Sequence, residues 1–276
     1  MSTLALPLRG WIDNSPWRHS HGVATCLLAL LAMLLPAAAF AQGWPAERQT
    51  GIFICHANFS LLDYEPLLNQ LGQHEREITA ALHLPRADEP IHLFLFDSSR
   101  TYRGYMAKHF PELPARRAMY IKNGGPGMVF AYLDNAFETD VRHESTHAVL
   151  HSVLPVVPLW LDEGLAEYFE AAPADRLHQN PHMTPVKWEV RLTGVTSVAR
   201  LDTLQELTDL GTDEYRHAWA WVHFMLHGPR EAREELLAYL ADLESHTPTP
   251  PLSVRLARRL PNLDRRLAEH FKSWKN

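Results

Sequence analysis

The stretch "TDVRHESTHAVLHSVLPVVPLWLDEGLAEYFEAAP", from Thr139 to Pro173, contains two helical segments separated by a short break with two prolines. Pro155 ends the first segment, because proline cannot donate the backbone hydrogen bond that a helix interior requires. Pro158 can occupy the first turn of the second segment. Asn135 is expected to cap the first helix, with Glu138 three residues later in capping-box position. The sequence therefore predicts two consecutive helices that pack as a hairpin.

The first of these helices carries the motif H-E-x-x-H at His143, Glu144 and His147. Residues four apart share one face of a helix, with Cβ atoms about 5–6 Å apart, so both imidazoles can reach one zinc ion. Glu144 lies beside the pair, where it cannot chelate easily but can contact a water on the metal. The motif thus separates two metal ligands from one general base.

The second helix can supply the third ligand that two histidines lack. At the helical rise of about 1.5 Å per residue, His147 lies about 10 Å before the break and Glu163 about 7.5 Å beyond Pro158. In a hairpin these two levels coincide, and three protein ligands leave a fourth position for water, as in a catalytic zinc site. His151 is a rival third ligand, but it is turned by about 80° from His143, which favours a packing or surface role.

Two further carboxylates are candidates to orient the ligand histidines. Glu167 lies one turn beyond Glu163 on the same face, and Asp140 precedes His143 by three residues. A carboxylate that accepts a hydrogen bond from the outer nitrogen of a liganding imidazole fixes the orientation of the ring. The alternative for both residues is an ordinary surface carboxylate.

Upstream of the helix pair, strand-like and helix-like segments alternate. The strand-like segments are "GIFICHANF", "IHLFLFDSS", "RAMYIKN" and "GMVFAYL", and the helical ones are "LLDYEPLLNQLGQHEREITAALHL" and "RTYRGYMAKHF". From Asn135 onward the periodicity is almost wholly helical. The sequence predicts an α+β fold in which a small mixed sheet with packed helices, over 42–134, precedes a mainly helical part, over 135–276, that carries the metal site.

The N-terminal segment differs in character from the rest of the chain. Arg9 and Arg18 precede the apolar run "VATCLLALLAMLL", and the small residues Ala39 and Ala41 follow it. This layout predicts a signal peptide over residues 1–41, cleaved after Ala41, and hence a periplasmic or secreted protein. The long charged region leaves an uncleaved membrane anchor as the alternative, and only in that case would a membrane be a partner.

Composition excludes several classes of protein. The 276 residues are 46% hydrophobic and 21% charged, as in ordinary globular chains. A net charge of -6 provides no basic field for a phosphate backbone, so nucleic acid is not an expected partner. Cys26 lies inside the apolar run, so Cys55 would be the only thiol of the mature chain. Its alternating apolar surroundings favour a packed side chain over a nucleophile.

The segments "HESTH" and "PLWLDEGLAEYFE" resemble the gluzincin zinc metallopeptidases, of the thermolysin and aminopeptidase-N type, and most of all the small bacterial peptidase-MA-like domains. The resemblance extends over Val141–Glu170. It implies a zincin-like pair of active-site helices and one bound Zn²⁺. The residues that match the family's motif are the ligands His143, His147 and Glu163, the general base Glu144, and Glu167 as a carboxylate behind the ligands.

Two weaker resemblances lie outside this region. The segment "YRHAWAWVHFMLHG" resembles the aminopeptidase helix whose tyrosine donates a hydrogen bond to the tetrahedral intermediate, which assigns that role to Tyr215. The alternative is that Tyr215 simply packs with Trp219 and Phe224. The same family resemblance implies that the strand "GMVFAYL" is a sheet edge at which an extended peptide can pair. The preceding "NGGPG" is expected to form a hairpin turn.

These residues together predict an exported, zinc-dependent metallopeptidase, a hydrolase whose partner is a peptide or protein substrate. Glu144 would take a proton from the attacking water and pass it to the leaving amine. The alternative is a non-catalytic module that binds a peptide or another partner and keeps a structural or vestigial metal site. A structural zinc site typically has four protein ligands.

Overall fold

The computed structural model of the protein describes residues 43–275. The signal peptide predicted over residues 1–41 lies outside the described residues. Within residues 43–275, no helix combines the length and the apolar character needed to cross a membrane. Cys55 is fully buried as a free thiol, and burial raises its pKa to about 12, as expected for a packed side chain.

Within residues 43–275, five strands form one mixed sheet in the order β1-β2-β3-β5-β4. β2, β3 and β5 run parallel to one another, while β1 and β4 pair antiparallel at the two edges. This small sheet confirms the predicted α+β class. The strands are β1 (Ala46–Thr50), β2 (Phe53–Ala57), β3 (Ile91–Phe96), β4 (Ala118–Ile121) and β5 (Met128–Tyr132).

Ten α-helices accompany the sheet within the described residues, and eight of them follow the last strand. They are α1 (Glu65–Leu82), α2 (Ser99–His109), α3 (Phe137–Val153), α4 (Leu159–Phe169), α5 (Met183–Leu192), α6 (Val198–Leu201), α7 (Thr212–His227), α8 (Arg230–Glu244), α9 (Leu252–Arg259) and α10 (Leu263–Ser273).

Helices cover both faces of the sheet. Side chains alternate between the faces along each strand, so Phe94 and Phe96 of β3 pack with α2, whereas Leu93 and Leu95 face the opposite side. On that opposite side lie α1 and α3. The hydrophobic core there continues without interruption into the helices that follow the sheet, so the sheet and the helical part share one core.

The first strand was not among the predicted segments, which begin the sheet at "GIFICHANF". β1 has the sequence "AERQT", its side chains are mostly exposed, and it pairs with β2 alone. A solvent-facing edge strand needs no apolar residues, so it lacks the alternation by which strands are recognised.

The strand "GMVFAYL", which was expected at an edge, is instead an interior strand. β5 pairs with β3 on one side and with β4 on the other. The segment "NGGPG" connects β4 to β5 as the expected hairpin turn, and Gly124 there adopts a φ of 65°, which favours glycine. The prediction of an edge at β5 is wrong, because β4, the first strand of this hairpin, takes the outer position.

The start of α3 also differs from the prediction. The helix begins at Phe137, and no side chain caps it. Oδ1 of Asp134 accepts a hydrogen bond of 2.8 Å from the backbone N–H of Ala136, so this carboxylate, and not Asn135, organises the turn into the helix. The end of α3 at Val153, just before Pro155, agrees with the prediction.

The hairpin of α3 and α4 is held in place by a third helix, α7. A Cβ added to Gly164 would lie 2.7 Å from the backbone oxygen of Ala218 in α7, which is closer than side chains tolerate. Glycine therefore lets the backbones of α4 and α7 touch. Because Glu163 precedes this contact directly, the approach of α7 fixes the position of the Glu163 carboxylate against α3.

Candidate metal centre

The structure brings His143, His147 and Glu163 together as the sequence predicts. The Nε2 atoms of the two histidines lie 3.1 Å apart. Oε2 of Glu163 lies 3.4 Å from Nε2 of His143 and 3.6 Å from Nε2 of His147. All three side chains are completely buried, and their ligand atoms lie within 4.8 Å of one another. The hairpin geometry inferred from the helical rise is thus present.

The outer nitrogens of both imidazoles face carboxylates. Nδ1 of His143 donates a hydrogen bond of 2.8 Å to Oε2 of Glu170, the C-cap residue directly after α4. Nδ1 of His147 lies 3.0 Å from Oδ1 of Asp162. A carboxylate at Nδ1 keeps the proton on that nitrogen and directs the lone pair of Nε2 inward.

This arrangement fits a metal cation. With protons on both Nδ1 atoms, the two inward lone pairs and the Glu163 carboxylate are three acceptors that face one another without a donor between them. Among residues 43–275, neither oxygen of Glu163 has a hydrogen-bond partner, although both are buried. Buried acceptors that converge in this way repel one another unless positive charge lies among them. Two imidazoles and one carboxylate are a ligand set that zinc favours.

The pKa shifts of His143, His147 and Glu163 reflect the electrostatic interactions among these buried groups and the neighbouring carboxylates. Burial lowers the pKa of His147, but the Asp162 and Glu163 carboxylates outweigh it and raise the value to about 10. The pKa of His143 is likewise raised well above its usual range, because Glu163 and Glu170 outweigh burial. Burial raises the pKa of Glu163, yet the two histidines bring it down to about 2. The centre therefore attracts positive charge, either as protons or as a metal ion.

Glu144 is buried beside the two histidines. Its carboxylate accepts a hydrogen bond from the backbone N–H of Tyr120 in β4, while its Oε2 has no hydrogen-bond partner. Burial raises the pKa of Glu144, and His143 and His147 offset only part of that shift. A carboxylate with a raised pKa and a free oxygen can accept a proton.

Glu167 and Asp140 do not make the contacts predicted for them. Oε2 of Glu167 accepts a hydrogen bond of 2.8 Å from Nε2 of His182, and Asp140 receives two hydrogen bonds from the Arg117 guanidinium, at 2.5 and 2.8 Å. The outer nitrogens of His143 and His147 face Glu170 and Asp162 instead.

The antiparallel packing of α3 and α4 explains why Glu170 and Asp162, and not Glu167 and Asp140, face the outer nitrogens. His143 lies far from the turn and therefore stands opposite the end of α4, where Glu170 is found. His147 lies nearer the turn and stands opposite Asp162, at the start of α4. The sequence contains a signal for both residues, because Asp162 adjoins Glu163 and Glu170 lies two turns beyond Glu163 on the same face.

Two buried residues of α3, adjacent to the motif residues, form hydrogen bonds that stabilise the site. Nε of Arg142 donates a hydrogen bond of 2.6 Å to the backbone oxygen of Glu170 and so fixes the end of α4. The hydroxyl of Thr146 donates to the backbone oxygen of Arg142 and lies 2.9 Å from Nε2 of His74 in α1. These bonds attach both ends of the metal site to neighbouring helices.

The remaining candidates lie around the centre. Nε2 of His151 pairs with Oδ2 of Asp162 at 2.9 Å, and its ring stacks on Tyr120, so this histidine stands behind the ligand shell. Tyr215 lies in the first turn of α7, almost fully buried in the hydrophobic core. The role of Tyr215 as an oxyanion donor stays a prediction.

A sequence family model matches part of the chain. The family model is described as "Protein of unknown function (DUF1570)", and it matches residues 138–250, less than half of the chain. This region contains the proposed metal ligands, Glu144 and Tyr215. A comparison with curated proteins found no match. The similarity therefore links the metal centre to a recognised family but assigns no activity to it.

Proposed function

We propose that the protein is an exported zinc metallopeptidase with His143, His147 and Glu163 as ligands of one zinc ion. The observation that carries the proposal is the convergence of three buried acceptor groups, with both imidazoles oriented by carboxylates and the oxygens of Glu163 unpartnered. The resemblance of the segment Val141–Glu170 to gluzincins supports peptide hydrolysis as the reaction. The signal-like N-terminal sequence supports export to the periplasm or beyond.

When bound, zinc would polarise the scissile carbonyl and make hydroxide available near neutral pH. Glu144 would then act as general base, because its raised pKa and unpartnered Oε2 suit a group that takes a proton and later returns it to the leaving amine. Glu170 and Asp162 would hold the imidazoles in their neutral, metal-binding tautomers. Tyr215 is proposed to donate to the developing oxyanion, as the family resemblance implies.

A second candidate function is a binding module with a structural metal. It is favoured by the complete burial of His143, His147 and Glu163, because a catalytic ion needs access for substrate. Against it, the group of ligand atoms formed by His143, His147 and Glu163 has three members, whereas structural zinc sites typically have four protein ligands. A buried carboxylate such as Glu144 also has no evident use at a purely structural site.

Replacing Glu144 with Gln distinguishes the two candidates. The peptidase proposal predicts that Glu144→Gln retains stoichiometric zinc but loses hydrolysis of a peptide library, because the amide cannot accept the proton. Zinc content is measured by atomic emission and cleavage by mass spectrometry. Wild-type protein that binds zinc but cleaves no peptide in the library would favour the structural candidate. Full activity in Glu144→Gln would contradict the assigned base.

Replacing Glu163 with Ala tests the ligand set itself. The substitution leaves two imidazoles, which are expected to hold zinc too weakly to survive dialysis, so the zinc content should fall from about one ion per chain to near zero. Glu112→Gln, an exposed carboxylate far along the sequence from the hairpin, is the control and should keep its zinc. Unchanged metal content in Glu163→Ala would show that another residue completes the site.

A further inference from the structure

A cavity of about 500 Å³ lies between the sheet and the C-terminal half of α3, and it belongs to no part of the proposed ligand shell. Its walls include Tyr120 of β4, Gly127 before β5, and Ala148 and Ser152 of α3. Cavities of this size hold small molecules or short peptide segments in other proteins. The volume alone does not identify the ligand, but the chemistry of its walls restricts it.

A buried hydroxyl without a partner forms one part of the wall. Tyr120 is 1% exposed, and its hydroxyl oxygen has no hydrogen-bond partner in the part of the chain that the structure describes. Gly127 also lines the cavity and lies next to this hydroxyl. A Cβ added to Gly127 would be 3.6 Å from the hydroxyl oxygen. Leaving a buried hydroxyl unpaired costs free energy, whereas a ligand with a donor would satisfy it.

The charged residues of the wall favour a positive ligand. Asp88, Glu89 and Glu244 line the cavity and are exposed at its opening, and they form no ion pair within residues 43–275. Of the two basic lining residues, Arg86 is already paired with Glu75 at 2.8 Å. The other, Lys122, donates to the backbone oxygen of His151. Lys122 keeps its positive charge in that bond, so three carboxylates outnumber the one remaining cation at the opening.

The cavity lies next to Glu144. The backbone N–H of Tyr120 binds the Glu144 carboxylate, while the side chain of the same residue lines the cavity. Ala148 and Ser152 follow Glu144 at four-residue steps on one face of α3, so the cavity begins about 6 Å along the helix from the proposed general base. A peptide side chain in the cavity would place its own backbone near Glu144.

We infer that this cavity is a specificity pocket that accepts the ammonium or guanidinium group of a lysine or arginine side chain in a peptide substrate. The inference rests on the proposed function, because it takes the ligand to be a peptide. The carboxylates at the opening attract the positive group, and the Tyr120 hydroxyl accepts a hydrogen bond from it. The aliphatic part of the side chain lies along the apolar walls.

Binding to a variant that cannot turn over tests the pocket separately from catalysis. The full chain carrying Glu144→Gln and loaded with zinc is titrated by calorimetry with a capped pentapeptide of alanines around one lysine. Its counterpart carries norleucine in place of lysine. The lysine peptide should bind at least about tenfold more tightly, because one charge-assisted hydrogen bond is lost with norleucine. Equal affinity, no binding of either peptide, or tighter binding of norleucine would overturn the pocket.

Two sets of substitutions, made in the same protein, assign the effect to the cavity. Asp88→Asn, Glu89→Gln and Glu244→Gln together should abolish the preference for lysine, whereas the exposed control Glu112→Gln should keep it. Tyr120→Phe should weaken binding of the lysine peptide about tenfold without lowering the melting temperature, because the hydroxyl has no partner to lose. A preference that survives both sets would place the recognition of lysine elsewhere and overturn the assignment.

Failure of the proposed function gives a different result. If the lysine peptide binds preferentially but the wild-type protein hydrolyses neither peptide nor any member of a library, the pocket stands and the peptidase proposal falls. If the wild-type protein hydrolyses both peptides equally and both bind equally, the peptidase proposal stands and the pocket falls.

Discussion

Each candidate ligand histidine faces one carboxylate, either in α4 or in the residue that directly follows it. In the described structure, Glu170 accepts the hydrogen bond of His143 Nδ1, and Asp162 lies at hydrogen-bond distance from His147 Nδ1. Because neutral imidazole carries its proton on only one nitrogen, a carboxylate at Nδ1 determines that Nε2 is the metal-binding atom. The two carboxylates thus define the geometry of the site although neither is expected to bind the metal.

Metal affinity should respond to these two carboxylates more than to Glu167. Asp162→Asn and Glu170→Gln should each weaken zinc binding about 10- to 100-fold, because loss of the carboxylate lowers the basicity of the imidazole and frees its ring. Glu167→Gln is the matched control, since its carboxylate bonds to His182, and it should change the affinity much less. Competition with a chromogenic chelator measures all three. A larger loss of zinc affinity in Glu167→Gln than in the other two variants would show that Glu167 orients a ligand histidine, as the sequence predicts.

At the residue scale, the sequence predicted the residues whose positions follow from helical spacing within one helix or between two consecutive ones. His143, Glu144, His147 and Glu163 were found in this way. The carboxylates that face the outer imidazole nitrogens, Asp162 and Glu170, were not predicted, because their choice depends on how far the two helices slide past each other. That offset is set by contacts such as the bond from Arg142 to the backbone of Glu170, which no local spacing encodes.

At the scale of elements, the contact between α4 and α7 limits what Gly164 can be replaced by. Gly164→Ala should destabilise the fold by about 2–3 kcal/mol, because the new methyl group meets backbone atoms of Ala218 that cannot turn aside. Gly104→Ala in α2 is the control. It has open space around the new Cβ and should be neutral or stabilising by up to about 1 kcal/mol. The free energy of unfolding of both variants is measured by urea denaturation. If Gly164→Ala were as stable as wild type, α4 and α7 could move apart without loss of folding free energy.

Elements with a strong apolar pattern were predicted closely, whereas β1 and the sheet order were not. β2, β3, β5, α1 and α2 each bury a regular stripe of side chains that is visible in the sequence. β1 is an exposed edge strand and carries no such stripe. The interior position of β5 depends on which strand of the β4–β5 hairpin pairs with β3, and this is a property of the assembled sheet.

At the scale of the whole molecule, several histidines are buried without a compensating carboxylate. Burial lowers the pKa of His74 and His223 to about 3, and that of His227 and His270 to about 4. His223 and His270 contact each other between α7 and α10, and Nε2 of His227 lies 2.7 Å from the Tyr168 hydroxyl. These histidines are neutral in the folded protein, unlike His143 and His147 in the absence of a metal.

Stability should therefore fall as the pH is lowered from about 6.5 towards about 3. The unfolded chain binds protons on these histidines at their ordinary pKa of about 6.5, whereas the folded chain does not, so the free energy of unfolding rises with pH across this window. For His74 alone, acidification from pH 7.5 to pH 5.0 should remove about 2 kcal/mol. His143 and His147 act in the opposite direction in metal-free protein. Their raised pKa contributes stability below about 6.5 that is lost as the pH rises through the folded value, about 10 for His147.

Substitution of His74 separates these contributions. His74→Asn removes one buried histidine with a lowered pKa, so the variant should lose about 2 kcal/mol less than wild type between pH 7.5 and pH 5.0, even if it is less stable at both pH values. His83→Asn, at an exposed position with φ of 54° that asparagine also favours, is the control and should lose as much as wild type. Urea unfolding with chelator present keeps metal loss out of the comparison. If wild type and His74→Asn lose the same free energy on acidification, the pKa of His74 is the same in the folded and the unfolded protein, and burial does not lower it.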